Sequence, residues 1–277
     1  MIIESVVAIG GTILAAYIWE NHIRDRVSVR RIISPDDPDS EMLVDLYQNL
    51  FPDDGTNYSP AEILEFLDGS LEFEENRHVQ AKNIVLIAKY RGDVVGFILC
   101  HFYRERRKAI VSYYGINREI LQARRSAGAR LLPRLIRILR DRRHPCDFLL
   151  FDLQGVDPTT PKKEAGERKA RPVRFKQTAR RLGLTAYLLQ FQYLCPKISL
   201  SDGTHEYPFT LMCVPITGHL PKPVPRALVL EFLHFLHHDC YGDLYPVTDE
   251  RFQPYHDHLR QRLKYYEDTL PPEVHAV

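Results

Sequence analysis

The sequence predicts an α/β (α+β) fold: a mixed, mostly antiparallel sheet flanked by helices, with an N-terminal hydrophobic helix and a C-terminal helical extension. Three observations carry that expectation. The apolar runs Ile84–Lys89 and Val94–Tyr103 lie on either side of Tyr90-Arg91-Gly92-Asp93, a hairpin signature. Ser126–Arg140 places Leu131, Leu132, Leu135, Ile136 and Leu139 on one helical face and Arg130, Arg134 and Arg137 on another. Phe148–Leu153 is short and nearly all apolar, as in a strand buried on both sides. Antiparallel strands followed by βαβ units give a mixed sheet with helices on both faces.

In chain order, Val27–Ile33 alternates Val27, Val29 and Ile32 with arginines and reads as a strand. Asp36, Asp37 and Pro38 then lead into a helix over Glu41–Leu50, where Met42, Leu43, Leu46, Tyr47 and Leu50 have helical spacing. Ser59 as N-cap, Pro60 at the first position and Glu62 behind it start a second helix over Pro60–Leu67. The hairpin strands follow, then a strand over Lys108–Ile116, the Ser126 helix and the Phe148 strand. Pro158–Pro172 is charged and rich in breakers, hence a loop, and Val173–Leu182 is a helix closed by Gly183. Leu188–Leu194 and Phe209–Val214 are the last strands. Arg226–Asp239 is an apolar, buried helix behind Pro225, and Asp257–Glu267 a polar one. Three units are expected: 1–25, 26–218 and 219–277.

A chain of 277 residues is long enough for a self-sufficient core. Apolar residues at 44% and charged residues at 26% exclude wholesale disorder. Five cysteines, with no Cys-x-x-Cys spacing, read as reduced thiols. The net charge of +1 excludes a histone-like binder, but the charges are segregated. Asp36–Glu75 holds thirteen acids and no Lys or Arg; Arg104–Arg143 holds thirteen bases against three acids; Lys162–Arg181 holds nine against two. Such a chain can offer one region to an anion and another to a cation, or face the two regions to water.

Ser5–Trp19 carries no charge. As a helix, Met1–Trp19 would be about 28 Å long, near the hydrocarbon thickness of a bilayer. Arg24, Arg26, Arg30 and Arg31 follow it, so the positive-inside rule would put the rest of the chain in the cytoplasm. The expectation is a membrane anchor with a cytoplasmic soluble domain. The alternative is a buried or interfacial helix in a cytoplasmic protein.

The element order from residue 27 to about 216 resembles the GNAT-type N-acyltransferases. That family marks the start of its central helix with Gln/Arg-x-x-Gly-x-Gly/Ala and a Leu pair. Here the run is Ala123-Arg124-Arg125-Ser126-Ala127-Gly128-Ala129-Arg130-Leu131-Leu132, with Ser126 at the first Gly and Ala123 at the leading position. Small residues and a helix N-terminus suit a pyrophosphate. The resemblance implies acetyl-CoA or another acyl-CoA as cosubstrate, held by Arg124, Arg125, Ser126, Ala127, Gly128, Ala129 and Arg130, with the thioester oxygen near the Ile116 amide. Arg180-Arg181-Leu182-Gly183 resembles a second family segment, with Ala179 where a proton-donating Tyr is frequent. Ser112 stands at the usual acidic position, and Asp152 matches a position where related sequences often carry Glu.

Acyl transfer to an amine needs a neutral nucleophile, a polarised carbonyl and a proton for the leaving sulfur. Asp152, in an apolar strand, is the candidate base, or else a structural acid paired with an Arg. Tyr113, Tyr114, Tyr187 and Tyr193 are candidate donors; only one of Tyr113 and Tyr114 should face a cleft, since strand neighbours point to opposite faces. The acidic segment would wall the acceptor side and favour a cationic amine, as a small molecule or a basic peptide. His234, His237, His238 and Cys240 lack a second half-site, so no metal is expected. The basic runs lack interleaved aromatics, which disfavours nucleic acid over anionic lipid. A homo-oligomer is compatible with the sequence. The alternative function is a catalytically degenerate GNAT-fold binding or regulatory module at the membrane.

Overall fold

A computed structural model describes residues 26–51, 57–68, 81–141, 143, 145–156, 160–195, 207–217 and 219–277. The expected anchor at 1–25 lies outside the described residues. Among the described residues, no helix is long and apolar enough to cross a membrane.

The fold is mixed α/β. Its strands are β1 (Ser28–Ile32), β2 (Ala81–Tyr90), β3 (Asp93–Tyr103), β4 (Lys108–Ile116), β5 (Phe148–Gln154), β6 (Tyr187–Leu188), β7 (Tyr193–Cys195) and β8 (Tyr207–Pro215). Among the described residues these form one eight-stranded sheet in the order β1-β2-β3-β4-β5-β8-β6, with β7 also on β8. Only β4 and β5 pair in parallel; β1 to β4 form an antiparallel meander and β5 returns antiparallel to β8. The β2–β3 turn has positive φ at both central residues, 54° at Arg91 and 102° at Gly92. That is the tight reversal whose twist suits a two-residue hairpin.

Period-two alternation decides what each face buries. On β2, Ile84, Leu86 and Ala88 face one core and Val85 and Ile87 the other. The first core lies under α3 (Leu121–Ser126), α4 (Gly128–Leu139) and α5 (Lys162–Arg181), where Leu131, Leu135 and Ala179 are buried. Helices α1 (Ser40–Leu50) and α2 (Pro60–Asp68) cover the opposite face through Leu43, Leu46, Ile63 and Leu67. Ser59 and Glu62 form a reciprocal cap on α2. The Ser59 N–H donates to Glu62 Oε2 at 2.6 Å and the Glu62 N–H to Ser59 Oγ at 3.3 Å. Ser59→Ala should cost about 1 kcal/mol of stability, read as a lower urea midpoint with an unchanged slope.

The chain beyond 219 adds β9 (Val224–Pro225), α6 (Arg226–His234), a π-type turn over Phe235–Cys240, α7 (Gln253–Thr269) and β10 (Glu273–Val274). It packs Phe232, Leu233 and Leu236 against Ile110, Leu150, Leu211 and Cys213 of the sheet. Leu244 touches both this core and the one under α1 and α2. The extension therefore continues the layer that those two helices begin.

Three expected elements are corrected. The loop at Pro158–Pro172 is instead the first half of α5, which runs through Pro172 to Arg181. A helix-interior proline costs roughly 3 kcal/mol, but Lys, Glu, Ala and Arg around it are strong helix formers, and Phe175 and Ala179 pack onto the sheet. The single strand at Leu188–Leu194 is split into β6 and β7. Between them the backbone changes partner: Leu188 and Gln190 N–H groups donate to Val277 and His275 carbonyls, each at 2.9 Å. The helix expected from Ser126 starts at Leu121 and breaks at Ala127. Ala127 is fully buried, and a Cβ added to Gly96 of β3 would lie 3.4 Å from its own. Its small size serves that contact.

Candidate active site

The parallel pairing of β4 and β5 runs from Lys108 opposite Phe148 to Val111 opposite Phe151 and then stops. On its other edge β4 carries a bulge, because Cys100 pairs with Val111 but Leu99 pairs with Tyr113. Ser112 thus has no register partner on either neighbour. A bulge adds a residue and sharpens the local twist, which turns one strand away from the next. Beyond it β4 stays with β3 as far as Ile116, and β5 stays with β8 as far as Gln154. A cleft of about 1610 Å³ opens between them. One drug-sized ligand fills roughly 300–1,000 Å³, so there is room for two reactants.

One end of the cleft is basic. Gly128 and Ala129 at the start of α4 line it together with Arg168, Arg171, Arg174 and Arg181 of α5. Arg168 Nη1 donates to the Gly155 carbonyl at 2.9 Å. Arg174 pairs with Glu167 at 2.9 Å and Arg118 pairs with the same carboxylate. Those two guanidinium groups, Arg118 first, hold Glu167 down at about 2. Glycine is required at 128, since a Cβ there would collide with the Tyr114 hydroxyl. Tyr114 packs its ring 5.1 Å from that of Phe175, and burial raises its pKa.

Part of the expected cofactor run faces elsewhere. Among its residues, Ala127 is core and Ser126 is half-buried outside the cleft lining. Arg130 is exposed and donates to the Val27 carbonyl at 2.6 Å, in a separate shallow groove with Arg134 and Arg137. Helical periodicity explains this, because only one face of α4 can look into the cleft. Arg124 and Arg125 are on α3, and their side chains lie outside the described residues. Ile116 does line the cleft.

The other end is acidic and aromatic. Asp152 of β5 lines it with Glu62 and Glu65 of α2, Tyr113 of β4, and Cys240, Tyr241 and Leu244 of the extension. No arginine holds Asp152 among the described residues. Its Oδ2 accepts hydrogen bonds from the hydroxyls of Tyr241 and Tyr193, the latter at 3.2 Å, and from the Cys195 thiol at 3.8 Å. Its Oδ1 is buried with no hydrogen-bond partner. Burial pushes the carboxyl up to about 6, even though the bonds from Tyr241, Tyr193 and Cys195 pull it down.

The tyrosine candidates separate. Tyr113 is buried among the rings of Tyr47, Phe51 and Tyr58, and its hydroxyl accepts from the Tyr58 N–H at 3.1 Å. Burial pushes it up to about 12. Tyr187 lies under the Lys222 ammonium, 4.5 Å from ring centroid to nitrogen, and does not line the cleft. The expected acidic wall is also narrower than its charge count. Asp37 and Asp39 are spent on Arg30 and on Lys89, the last at 2.6 Å, so Glu62 and Glu65 carry that segment's charge into the cleft among the described residues.

Sequence reasoning misses the α5 arginines, Cys195 and Tyr241. The arginines have a signal: 168, 171, 174 and 181 recur at helical spacing once Pro172 is allowed inside a helix. Cys195 and Tyr241 have none, since their role depends on packing between distant segments. Among the described residues, no group of three His, Cys, Asp or Glu side chains could hold a metal ion.

No protein-family model matches the sequence, and no curated protein matches it. Solved structures similar to the chain include an aminoglycoside 6'-N-acetyltransferase from Enterococcus faecium (14% identity, 70% of this chain and 99% of that one, TM-score 0.45). Others are an aminoglycoside 6'-N-acetyltransferase complexed with coenzyme A (14%, 70% and 99%, 0.45) and an acetyltransferase of the GNAT family from Streptococcus pneumoniae (14%, 68% and 98%, 0.40).

Proposed function

We propose that this chain is an N-acyltransferase that moves an acyl group from acetyl-CoA or a related acyl-CoA to a cationic amine. The observation that carries this reading is a single cleft, basic at one end and acidic at the other, with a buried unpartnered carboxylate oxygen at the split between β4 and β5. The basic end suits a diphosphate: Gly128 allows close approach to the start of α4, whose N-terminal dipole and the α5 arginines favour an anion. The acidic end suits an ammonium.

The chemistry assigns each group a task. Asp152, ionised above about pH 6, holds the ammonium and takes its proton on Oδ1 as nitrogen attacks the thioester carbon. The carbonyl oxygen gains charge in that step and needs an amide donor. The backbone at the Ser112 bulge, outside both ladders, is a better source than the Ile116 amide within the β3 pairing. The C–S bond then breaks and the thiolate takes a proton. Tyr114 is the better donor of the two β4 tyrosines, because the Tyr113 hydroxyl is committed to Tyr58.

Titration calorimetry with acetyl-CoA, followed by thiol release over a panel of amines, tests the proposal. Saturable binding and amine-dependent release are expected, with monoamines and diamines preferred over neutral or anionic acceptors. Binding without release from any amine would leave a CoA-binding module, and no binding would remove the acyl-CoA reading. Gly128→Val should raise the CoA Kd at least about tenfold, a loss near 1.4 kcal/mol, because its side chain drives Tyr114 from its place.

A further inference from the structure

The two oxygens of Asp152 have different surroundings. Everything that binds the carboxylate binds Oδ2: Tyr193 and Cys195 from β7, and Tyr241 from the extension. Oδ1 is out of solvent and carries no bond. Two bonds to one oxygen at an angle fix the plane of a carboxylate, so the pair of tyrosines determines where Oδ1 points. Tyr193 alone would leave the group free to rotate about its remaining axis.

Tyr241 is itself held on every side. It follows the π-type turn at Phe235–Cys240, and its N–H donates to the Leu236 carbonyl at 2.8 Å. Its carbonyl accepts from the Tyr255 hydroxyl at 3.1 Å, and its own hydroxyl lies 3.0 Å from Cys195 Sγ. π-type turns tend to occur where a helix must re-aim a side chain at a site. The extension also steadies the other side of the clamp. Tyr266 of α7 takes the Leu194 N–H at 2.9 Å and so fixes the strand that bears Tyr193 and Cys195.

We infer that Tyr241 is a positioning residue of the acyl-transfer site: the extension supplies the hydroxyl that grips Oδ2 of Asp152 and so turns Oδ1 to the amine. This rests on the reading of Asp152 as the base. A hydrogen bond donated to a carboxylate favours its charged form. The same bond therefore keeps Asp152 available as a base at lower pH than burial alone would permit. The ionisable groups packed around it are Tyr193 and Cys195 on β7, Tyr241 on the extension and Tyr266 on α7; burial raises all four. All are neutral near pH 7, so the titration seen there belongs to Asp152.

Tyr241→Phe removes the hydroxyl and leaves the ring. Carboxyl-carbon NMR of the labelled full chain, with Asp152→Asn to assign the resonance, follows the titration without any need for turnover. In Tyr241→Phe the midpoint should move up by about one pH unit, the size of one charge-assisted bond, while CoA affinity stays unchanged. Thiol release from acetyl-CoA, with phenethylamine and spermidine as probe amines, should fall about tenfold at pH 6 and recover above pH 8. Tyr193→Phe should shift the midpoint the same way, which covers the case in which the first variant folds poorly. A midpoint equal to that of the unmodified protein in both variants, or a loss of release equal at all pH values, would overturn the positioning role. Should Asp152→Asn keep full release, the base reading falls instead, and the NMR midpoints then still report whether the two tyrosines grip the carboxylate.

Discussion

Asp152→Asn should lose at least about a hundredfold in turnover and at the same time melt at a higher temperature than the unmodified protein at pH 8. The two effects share one cause. In the fold the carboxyl titrates near 6, against 3.8 in an exposed chain, so the folded state binds the proton more tightly than the unfolded state. Raising the pH from about 4 to 6 therefore weakens the fold, and above 6 the full penalty of a buried charge is present. Two pKa units correspond to about 3 kcal/mol, and asparagine does not carry that cost. The gain in melting temperature should be a few degrees at pH 8 and should vanish near pH 4. Calorimetric melts at both values check this, beside thiol release at pH 8. A variant less stable than the parent at pH 8 would show that the carboxylate is a structural anchor. Turnover lost without any gain in stability would point to a well-compensated charge.

Phe232→Ala should cost about 3–5 kcal/mol, a large share of the roughly 5–15 kcal/mol that holds a domain together. Phe232 is fully buried, and its ring lies 5.0 Å from that of Phe148 at the start of β5. The truncation leaves a cavity between α6 and the sheet, where surrounding groups can close only in part. Because the extension shares its core with β4, β5 and β8, the loss should appear as one cooperative transition shifted down. Two separate transitions, with only the first displaced, would mean that residues after 219 form a unit of their own. A urea titration followed by both circular dichroism and tyrosine fluorescence distinguishes the outcomes. The acidic limb of activity should not move in this variant, since Phe232 is no neighbour of Asp152.

Several parts of the fold are legible in the amino-acid sequence. Arg91-Gly92 marks the hairpin, Ser59-Pro60 with Glu62 marks the start of α2, and its leucines mark α4. Each of those signals lies within a few residues of the feature that it predicts. Asp152 stands out because a carboxylate in an apolar strand must be paired or used. The failures have equally definite causes. Pro172 reads as a breaker, although it forgoes one hydrogen bond in a helix of 20 residues whose other side chains favour the state. Ala127 reads as a small residue for a ligand, when it is small for Gly96. The acids after residue 36 read as a wall, although two of them neutralise Arg30 and Lys89.

What the chain determined by itself is therefore local: where strands and helices lie, which faces are apolar, and that its charges fall into separate blocks. Periodicity, caps and turn residues act over one or two turns of backbone, so they can be read in one dimension. Only the tertiary structure decided that a bulge at Ser112 parts two strands, that α5 brings its arginines to one end of the opening, and that Tyr241 meets Asp152 across 89 positions of sequence. Those contacts arise when apolar faces from distant segments are buried together, and no short-range pattern records which distant partner each face will find.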